Sequence, residues 1–285
     1  MNPKYAVIGE CKEISGPDFT MQVFFDPFNL RLRVDGYQGH TDAIMTRVME
    51  LSRQHGFTKA FVKAREADWK SFLSRGFILE GIFKGYYNGN DAYSVACYLS
   101  DERRTSDYGT KEDGILQNVL EMPRKLPDST LPAGYTLRIA RESDVKTLAR
   151  LYTDVFQIYP TQMNDPAYIA KVMKDATVFY IIVYEGQIVS TASAEINSQY
   201  YHAEMTDCAT LQDHRQHGFM KVLIKTLEED LLLRNIHCFF SLSRALSFGM
   251  NAVLHQLGYE YTGRLTKNCY ISDKLEDMNL WVKRS

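Results

Sequence analysis

The chain has 285 residues, and its 45% hydrophobic content can fill the core of one large domain or two smaller ones. Lys and Arg number 33 against 35 acidic residues, and a net charge of −2 argues against a nucleic-acid binder that relies on a basic field. Apolar runs all fall short of the roughly 20 residues that cross a bilayer, and the N-terminus has no signal-peptide pattern. We therefore expect a cytoplasmic protein with no membrane partner.

The five cysteines are odd in number, widely spaced and mostly set in apolar segments: Cys11, Cys97, Cys208, Cys238 and Cys269. This distribution is typical of free thiols rather than of a disulfide framework or a zinc site, so no metal is expected. A small molecule is the expected partner. The sequence leaves the oligomeric state open, with a homodimer among the options.

Residues 1–105 form the first predicted unit. Apolar and charged side chains alternate over residues 30–35, which predicts a strand with one buried and one wet face. Thr41 is predicted to cap the helix that follows, which runs through Ser52.

A hairpin is predicted later in this unit, around the Asn-Gly turn at Asn88. Its tyrosines either line a ligand site or pack across the strands: Tyr86, Tyr87 and Tyr93. Residues 106–134 are rich in charged and turn residues, with three prolines, and are predicted to be a linker that holds a short helix near residues 111–122.

Residues 135–285 form the second predicted unit. Their periodicity predicts a strand, two helices, three strands, a helix, a strand, a helix and two strands. Its centre is residues 203–234, where a strand passes through a polar turn into a long amphipathic helix. Because the first backbone N–H groups of a helix lack intrahelical partners and lie at the positive end of its dipole, this turn is a candidate anion site.

The turn resembles the cofactor loop of the GNAT acetyltransferase superfamily, whose pattern is Arg or Gln, two residues, Gly, one residue, then Gly or Ala. The corresponding residues are Arg215, Gln216, His217, Gly218, Phe219 and Met220, and Met220 departs from the pattern. The resemblance implies an α+β fold, with a mixed, mostly antiparallel sheet flanked by helices, and acetyl-CoA as co-substrate. Backbone amides from Gln216 to Lys221 would hold the pyrophosphate, aided by His217 and Lys221, although His217 is as well explained as a solvent-facing residue.

The first unit repeats the layout of the second more faintly. Gly76-Phe77 with Gly81 has the same spacing as Gly258-Tyr259 with Gly263. We infer a smaller, degenerate GNAT-like α/β unit without the cofactor loop, which extends the sheet or shapes the substrate pocket. A coincidence of two common strand-turn patterns remains the alternative.

The resemblance also implies roles for the strand before the loop. The family splays this strand so that its backbone meets the thioester, which here falls at Cys208, Ala209 and Thr210. Glu204 is the implied base that deprotonates the amine, with Asp207 and Glu195 as substitutes. Asp207 or Glu195 could instead hold the cationic substrate, and each of the three carboxylates could simply face solvent.

Two further positions follow from the family pattern. Asn251 matches an asparagine that contacts CoA, whereas the usual tyrosine acid is replaced by Leu254. This leaves His255, another tyrosine or water to protonate the thiolate. A covalent role for Cys208 is disfavoured, because no His and acid partner is recognisable.

The whole chain resembles the β-lysine N-acetyltransferase family, through its aromatic-rich first unit, its linker and the segment AEMTDCATL at residues 203–211. Members acetylate the N6 amine of β-lysine, made by a lysine aminomutase, to give a compatible solute. Candidate partners for the substrate carboxylate are Arg31, Arg33, Arg138 and Arg244. Two alternatives stay open: acetylation of another amine (a polyamine, amino sugar or protein amine), and a non-catalytic acetyl-CoA-binding module.

Overall fold

The computed structural model describes residues 9–124 and 130–285. Within them, thirteen strands form one sheet. The strands are β1 (Glu10–Gly16), β2 (Phe19–Asp26), β3 (Arg31–Gly39), β4 (Lys59–Arg65), β5 (Ile78–Tyr87), β6 (Asn90–Tyr98), β7 (Tyr135–Ile139), β8 (Thr177–Tyr184), β9 (Gln187–Asn197), β10 (His202–Thr210), β11 (Cys238–Arg244), β12 (Glu260–Ile271) and β13 (Lys274–Arg284). The α-helices are α1 (Thr41–Gln54), α2 (Trp69–Ser74), α3 (Asp101–Arg104), α4 (Gly109–Leu120), α5 (Val145–Val155), α6 (Pro166–Asp175), α7 (Phe219–Leu233) and α8 (Phe248–Gln256).

Read from its outer edge toward the middle of the sheet, each half has the same arrangement of strands, except that the second half has one additional edge strand, β7. The strand order runs β1-β2-β3-β4-β6-β5, then β12-β13-β11-β10-β9-β8-β7. In each half one parallel pair, β3 with β4 and β10 with β11, is joined by a long helix, and the other pairs within the half are antiparallel. This layout supports the predicted repeat, while the exact domain limits at residues 105 and 134 stay a prediction.

The two halves meet where β5 pairs with β12 at Gly81 and Gly263. A Cβ on Gly263 would lie 2.3 Å from the Gly81 Cα, so only glycine allows this approach. The buried Lys59 Nζ spans the same junction, bonding Glu80 Oε1 and the carbonyl of Thr266 at 2.8 Å each. The two glycines that the repeat made equivalent are therefore direct partners.

The sheet curls, so that the β5–β6 turn of the first half contacts the β9–β10 turn of the second. The Asn88 amide at the β5–β6 turn donates to the Tyr200 carbonyl at 3.1 Å. Nearby, the rings of Tyr86 and His202 stack with centroids 4.0 Å apart. As a result, β3 and β4 face β9 and β10 across one concave surface.

The two longest helices pack their apolar stripes against the sheet. Helix α7 packs Leu223, Leu227 and Leu231 into the core of the second half, and α1 packs Ile44 and Val48 into that of the first. No helix within residues 9–124 and 130–285 is long and apolar enough to cross a membrane.

The predicted element order of the second half is confirmed, with β7 and α8 at the expected bounds. The linker helix is present as α4, although residues 125–129 of the linker lie outside the described residues. The predicted cap at Thr41 is wrong, since His40 holds that position and the helix starts at Thr41. The hairpin tyrosines Tyr86 and Tyr87 are buried and pack against one another edge to face.

Candidate active site

A cleft of about 920 Å³ opens on the concave surface and runs between the two halves. Strands β9, β10 and β11, the loop before α7 and the start of α8 line it from the second half. Strands β3, β4 and β5 line it from the first half. Both halves therefore contribute to one cavity.

The cleft exists because β10 and β11 diverge. Their parallel pairing extends from His202 with Cys238 to Glu204 with Phe240. Beyond that point β10 continues to Thr210 and β11 to Arg244, and the gap between them forms part of the cleft. An extended ligand can lie in this gap alongside β10.

A β-bulge interrupts β10 next to the divergence. Thr206 pairs with Ser193 and Ala209 with Thr191, so Asp207 and Cys208 together oppose a single residue of β9. Asp207 has a φ of +49°, and its carbonyl accepts a 2.6 Å hydrogen bond from the Tyr152 hydroxyl. Asp207, Cys208 and Thr210 line the cleft, whereas the Ala209 side chain is buried.

The loop before α7 contains two residues with left-handed backbone conformation. Gln216 and Gly218 have φ values of +71° and +74°, and Gly218 directly precedes the helix. Alternation of left-handed residues turns successive N–H groups toward one concavity, at the positive end of the helix dipole. Residues of this loop and of the first helical turn line the cleft: Arg215, Gln216, Gly218, Phe219 and Met220.

The remaining predicted loop residues lie beside this concavity. The His217 ring stacks on Phe219 with centroids 5.2 Å apart, and Lys221 lies within the first turn of α7. Met220 packs part of its side chain against the core of the second half. The larger side chain at the position of the family's Gly or Ala is thus accommodated by the core.

Glu204 lies on the wall of the cleft, at the last paired residue before β10 and β11 separate. Its pKa is raised to about 7, mainly by burial and secondly by repulsion from Glu195. Lys63 and Arg33 act in the opposite direction and lower this pKa. A carboxyl with this pKa is partly ionised at neutral pH and can accept a proton.

Glu195 is the direct cross-strand partner of Glu204 in the register of β9 and β10. Like charges at directly opposed positions of a sheet repel. Both carboxylates line the cleft. A cation placed between them would relieve this repulsion, so the pair is suited to bind an ammonium group.

The carboxylate of Asp207 is held in place by hydrogen bonds from two side chains. It accepts hydrogen bonds from the Ser193 hydroxyl at 2.7 Å and the Tyr159 hydroxyl at 3.3 Å. Burial raises the pKa of Asp207 to about 6, even though the Ser193 bond favours the ionised form. Burial and Asp207 together raise the pKa of the neighbouring Cys208 thiol to about 12, which makes that thiol a poor nucleophile.

Asn251 does not line the cleft. Its Oδ1 accepts hydrogen bonds from Ser243, Asn279 and Trp281 at 2.8 to 2.9 Å. Its Nδ2 donates to the carbonyls of Arg244 and Ser247 at 2.9 and 2.7 Å. The side chain joins β11, β13 and the start of α8, and its contact with a cofactor stays a prediction.

The position of the usual acid is occupied by Leu254, which is fully buried in the core. His255 bonds the Met122 carbonyl at 2.9 Å and does not line the cleft. Two tyrosines do line it, Tyr159 and Tyr168. These tyrosines and water are the remaining candidates for protonating a leaving thiolate.

The predicted wet face of β3 is wrong. Arg31 is buried and Arg33 is partly buried, and both line the cleft. Sequence reasoning missed Lys63 on β4, which also lines it. The signal was a lysine in the middle of the apolar strand KAFVKAR, since an interior charged residue needs a partner.

The other arginines predicted to bind the substrate carboxylate already have protein partners. Arg31 is occupied by Asp26 and the Asn268 carbonyl at 2.8 Å each. Arg138 pairs with Asp144 away from the cleft. Arg244 lines the cleft but makes two 2.8 Å bonds to Glu276. In the part of the chain that the structure describes, no group of three or more His, Cys, Asp and Glu residues could hold a metal ion.

A splayed strand pair beside an anion loop at a helix N-terminus defines an enzyme that binds an acyl-CoA and transfers its acyl group. Comparisons with known proteins agree, because the profile of the Acetyltransferase (GNAT) family matches residues 145–259. N-acetyltransferase YodP of Bacillus subtilis (strain 168) is 40% identical over 96% of this chain and 99% of its own length. The chain belongs to the GNAT family of N-acetyltransferases.

Two further relatives carry a more specific name. Beta-lysine N(6)-acetyltransferase of Methanosarcina mazei is 36% identical over 73% of this chain and 84% of its own length. The protein of the same name from Methanococcus maripaludis is 30% identical over 85% of this chain and 88% of its own.

Proposed function

We propose that this enzyme transfers an acetyl group directly from acetyl-CoA to the N6 amine of β-lysine, with Glu204 as the general base. The observation that carries the proposal is the position of Glu204, which lies in the cleft, opposite Glu195 and next to the bulge of β10. The names of two relatives support the choice of β-lysine.

The co-substrate fits the residues of the second half. Amides of residues 216–221 would hold the pyrophosphate at the start of α7, where two left-handed residues shape the loop. The pantetheine arm would lie along β10 where it diverges from β11. The acetyl group would then reach the bulge at Asp207 and Cys208, where backbone N–H groups can stabilise negative charge that develops on the carbonyl oxygen.

Glu204 would accept the proton that the amine must lose. An amine with a pKa near 10 is almost wholly protonated at neutral pH, so its attack on the thioester carbon requires a base. A C–N bond forms, the C–S bond breaks, and the thiolate takes a proton from water or from Tyr159 or Tyr168. Glu195 and Asp207 would hold the substrate's ammonium groups.

The cleft carries charges of both signs, which suits an acceptor that has amines and a carboxylate. Acidic side chains line it from the second half, namely Glu195, Glu204 and Asp207. Basic side chains line it from the first half, namely Arg31, Arg33 and Lys63. In this proposal the product is a compatible solute made in the cytoplasm, and a homodimer stays a prediction.

A second candidate is acetylation of a different amine, because the relative with 40% identity is named only as an N-acetyltransferase. Release of CoA thiol should be measured with acetyl-CoA and equal concentrations of β-lysine, α-lysine, a polyamine, an amino sugar and a lysine peptide. We expect β-lysine to give the highest kcat/KM. A higher value for any other acceptor would favour the second candidate, and CoA binding without turnover on any of them would favour a non-catalytic module.

A further inference from the structure

The first half of the chain lines the cleft with basic side chains, and those of Arg33 and Lys63 form a connected cluster with Asp35. Arg33 Nε donates to Asp35 Oδ2 at 2.8 Å, and Lys63 Nζ donates to Asp35 Oδ1 at 2.8 Å. Lys63 Nζ also bonds the Tyr86 hydroxyl at 2.8 Å. Asp35 therefore bridges two cations, and the cluster keeps one net positive charge.

The cluster is well fixed for a binding site. Its side chains are only partly exposed, at 29% for Arg33, 24% for Asp35 and 9% for Lys63. Burial opposes the charge on Arg33, but Asp35 outweighs it and raises the pKa of this guanidinium. The Arg33 guanidinium also lies 4.8 Å from the centroid of the Phe24 ring, which orients its plane.

Arg33 retains its terminal donors. Its bond to Asp35 uses Nε, and within the described residues neither Nη atom has a hydrogen-bond acceptor. By contrast, Arg31 and Arg244 use both Nε and an Nη atom for protein partners. Arg33 is therefore the arginine of β3 and β11 whose two Nη atoms are both available. This pair of N–H groups can bind a carboxylate with two hydrogen bonds.

The cluster also lies within electrostatic range of the proposed base. Lys63 and Arg33 both lower the pKa of Glu204, and Glu195 acts on Arg33. One small molecule can therefore place an ammonium group at Glu195 and Glu204 and an anionic group at Arg33. A polyamine has only positive charges and would meet repulsion at the cluster.

We propose that the first half of the chain supplies the carboxylate-binding part of the acceptor site. Arg33 binds the substrate carboxylate, and Asp35 and Lys63 hold the Arg33 side chain in position. This inference rests on the proposed function and deepens it. It makes the enzyme selective for amino-acid acceptors and gives the degenerate half a direct role in substrate binding.

The test compares β-lysine with β-lysine amide, which keeps both amines but lacks the carboxylate charge. We expect the wild-type protein to prefer the acid in kcat/KM by roughly 10- to 100-fold. Arg33→Gln should remove this preference through a higher KM for the acid, with the amide changed by less than about threefold. Arg33→Lys should restore part of the preference, and the control Arg244→Gln should leave the ratio of the two acceptors unchanged.

Loss of activity on both acceptors to the same extent in Arg33→Gln, in a protein that unfolds at the wild-type temperature, would overturn the inference while leaving the proposed function intact. Calorimetric titration of both compounds into the CoA-loaded protein separates the two proposals. Arg33-dependent binding of β-lysine without acetylation would support the carboxylate site and refute the proposed function. Absence of β-lysine binding to the wild type would refute both.

Discussion

Replacing Glu204 by Gln should slow catalysis and stabilise the fold at the same time. Gln keeps the shape of the side chain but cannot accept the proton of the amine. At neutral pH we expect kcat/KM to fall by roughly 10²- to 10⁴-fold, the usual contribution of a positioned base. Catalysis should recover partly in alkali, where the free amine becomes abundant.

The pH profile is the more specific readout. Because the pKa of Glu204 is about 7, wild-type kcat/KM should fall as pH decreases through 7, to about a tenth of its plateau one pH unit lower. The Glu204→Gln profile should lack this break and rise toward the pKa of the amine. Asp207→Asn is the matched control: it removes a neighbouring cleft carboxylate and should keep the break, moved slightly below 7 because the Asp207 charge contributes to the raised pKa of Glu204.

The gain in stability follows from the same pKa. Glu204 ionises at about 7 in the folded protein and near its ordinary value of 4.5 when unfolded. Its carboxylate therefore destabilises the fold as pH rises from 4.5 to 7, by at most about 3.4 kcal/mol at 1.36 kcal/mol per pH unit. Glu204→Gln should unfold at a higher temperature than the wild type at pH 8, and the difference should shrink toward pH 5.

Two results would refute this reasoning. The first is a break near pH 7 that persists in Glu204→Gln, which would assign the titration to another group. The second is a variant that is less stable than the wild type at pH 8. That result would mean that the Glu204 carboxylate is stabilised in the fold by its cationic neighbours.

Three other substitutions test separate parts of the structure. Gly218→Ala should weaken CoA binding roughly fivefold, because φ of +74° strains a residue with a Cβ by about 1 kcal/mol and favours a loop shape other than the one that binds CoA. The control Gly186→Ala, at φ of +80° in a hairpin turn, should lower stability alone; calorimetry and unfolding curves compare the two variants. Cys208→Ala should retain turnover within several-fold, because the thiol has a raised pKa and is a poor nucleophile. Mass spectrometry of the wild type with acetyl-CoA alone should show no acetylated protein. An acetyl group on Cys208 would contradict direct transfer. Gly263→Ala should destabilise the protein by roughly 3 kcal/mol, because the new Cβ would lie 2.1 Å from the Glu80 carbonyl oxygen. Gly81→Ala should destabilise it less. Equal unfolding midpoints of the two variants in urea would count against the close approach of β5 and β12.

Much of the second half could be predicted because its elements are defined by local patterns. Strand β7 and helix α8 have clear periodicity and boundary signals, and both occur at the expected residues. The correspondence of Gly81 with Gly263 also rested on local spacing, and the two glycines proved to pair directly. Patterns of this kind reflect contacts that each segment makes on its own faces.

The missed features depend on the curl of the whole sheet. Charged residues at alternate positions of β3 satisfy the pattern of a wet face, yet Arg31 and Arg33 face the cleft. They share the cleft with the acidic residues of β9 and β10, where the β5–β6 hairpin contacts Tyr200 and His202. Long-range closure of this kind leaves no periodic signal, although the interior Lys63 was a clue to it.

The central claim is tested most directly by identifying the product that the purified protein makes from acetyl-CoA and β-lysine. NMR spectroscopy and mass spectrometry of the isolated product locate the acetyl group. We predict one acetyl group per molecule, on N6, formed together with one equivalent of CoA thiol. Acetylation at N3, or no acetylated β-lysine from a protein that binds CoA, would contradict the proposed function.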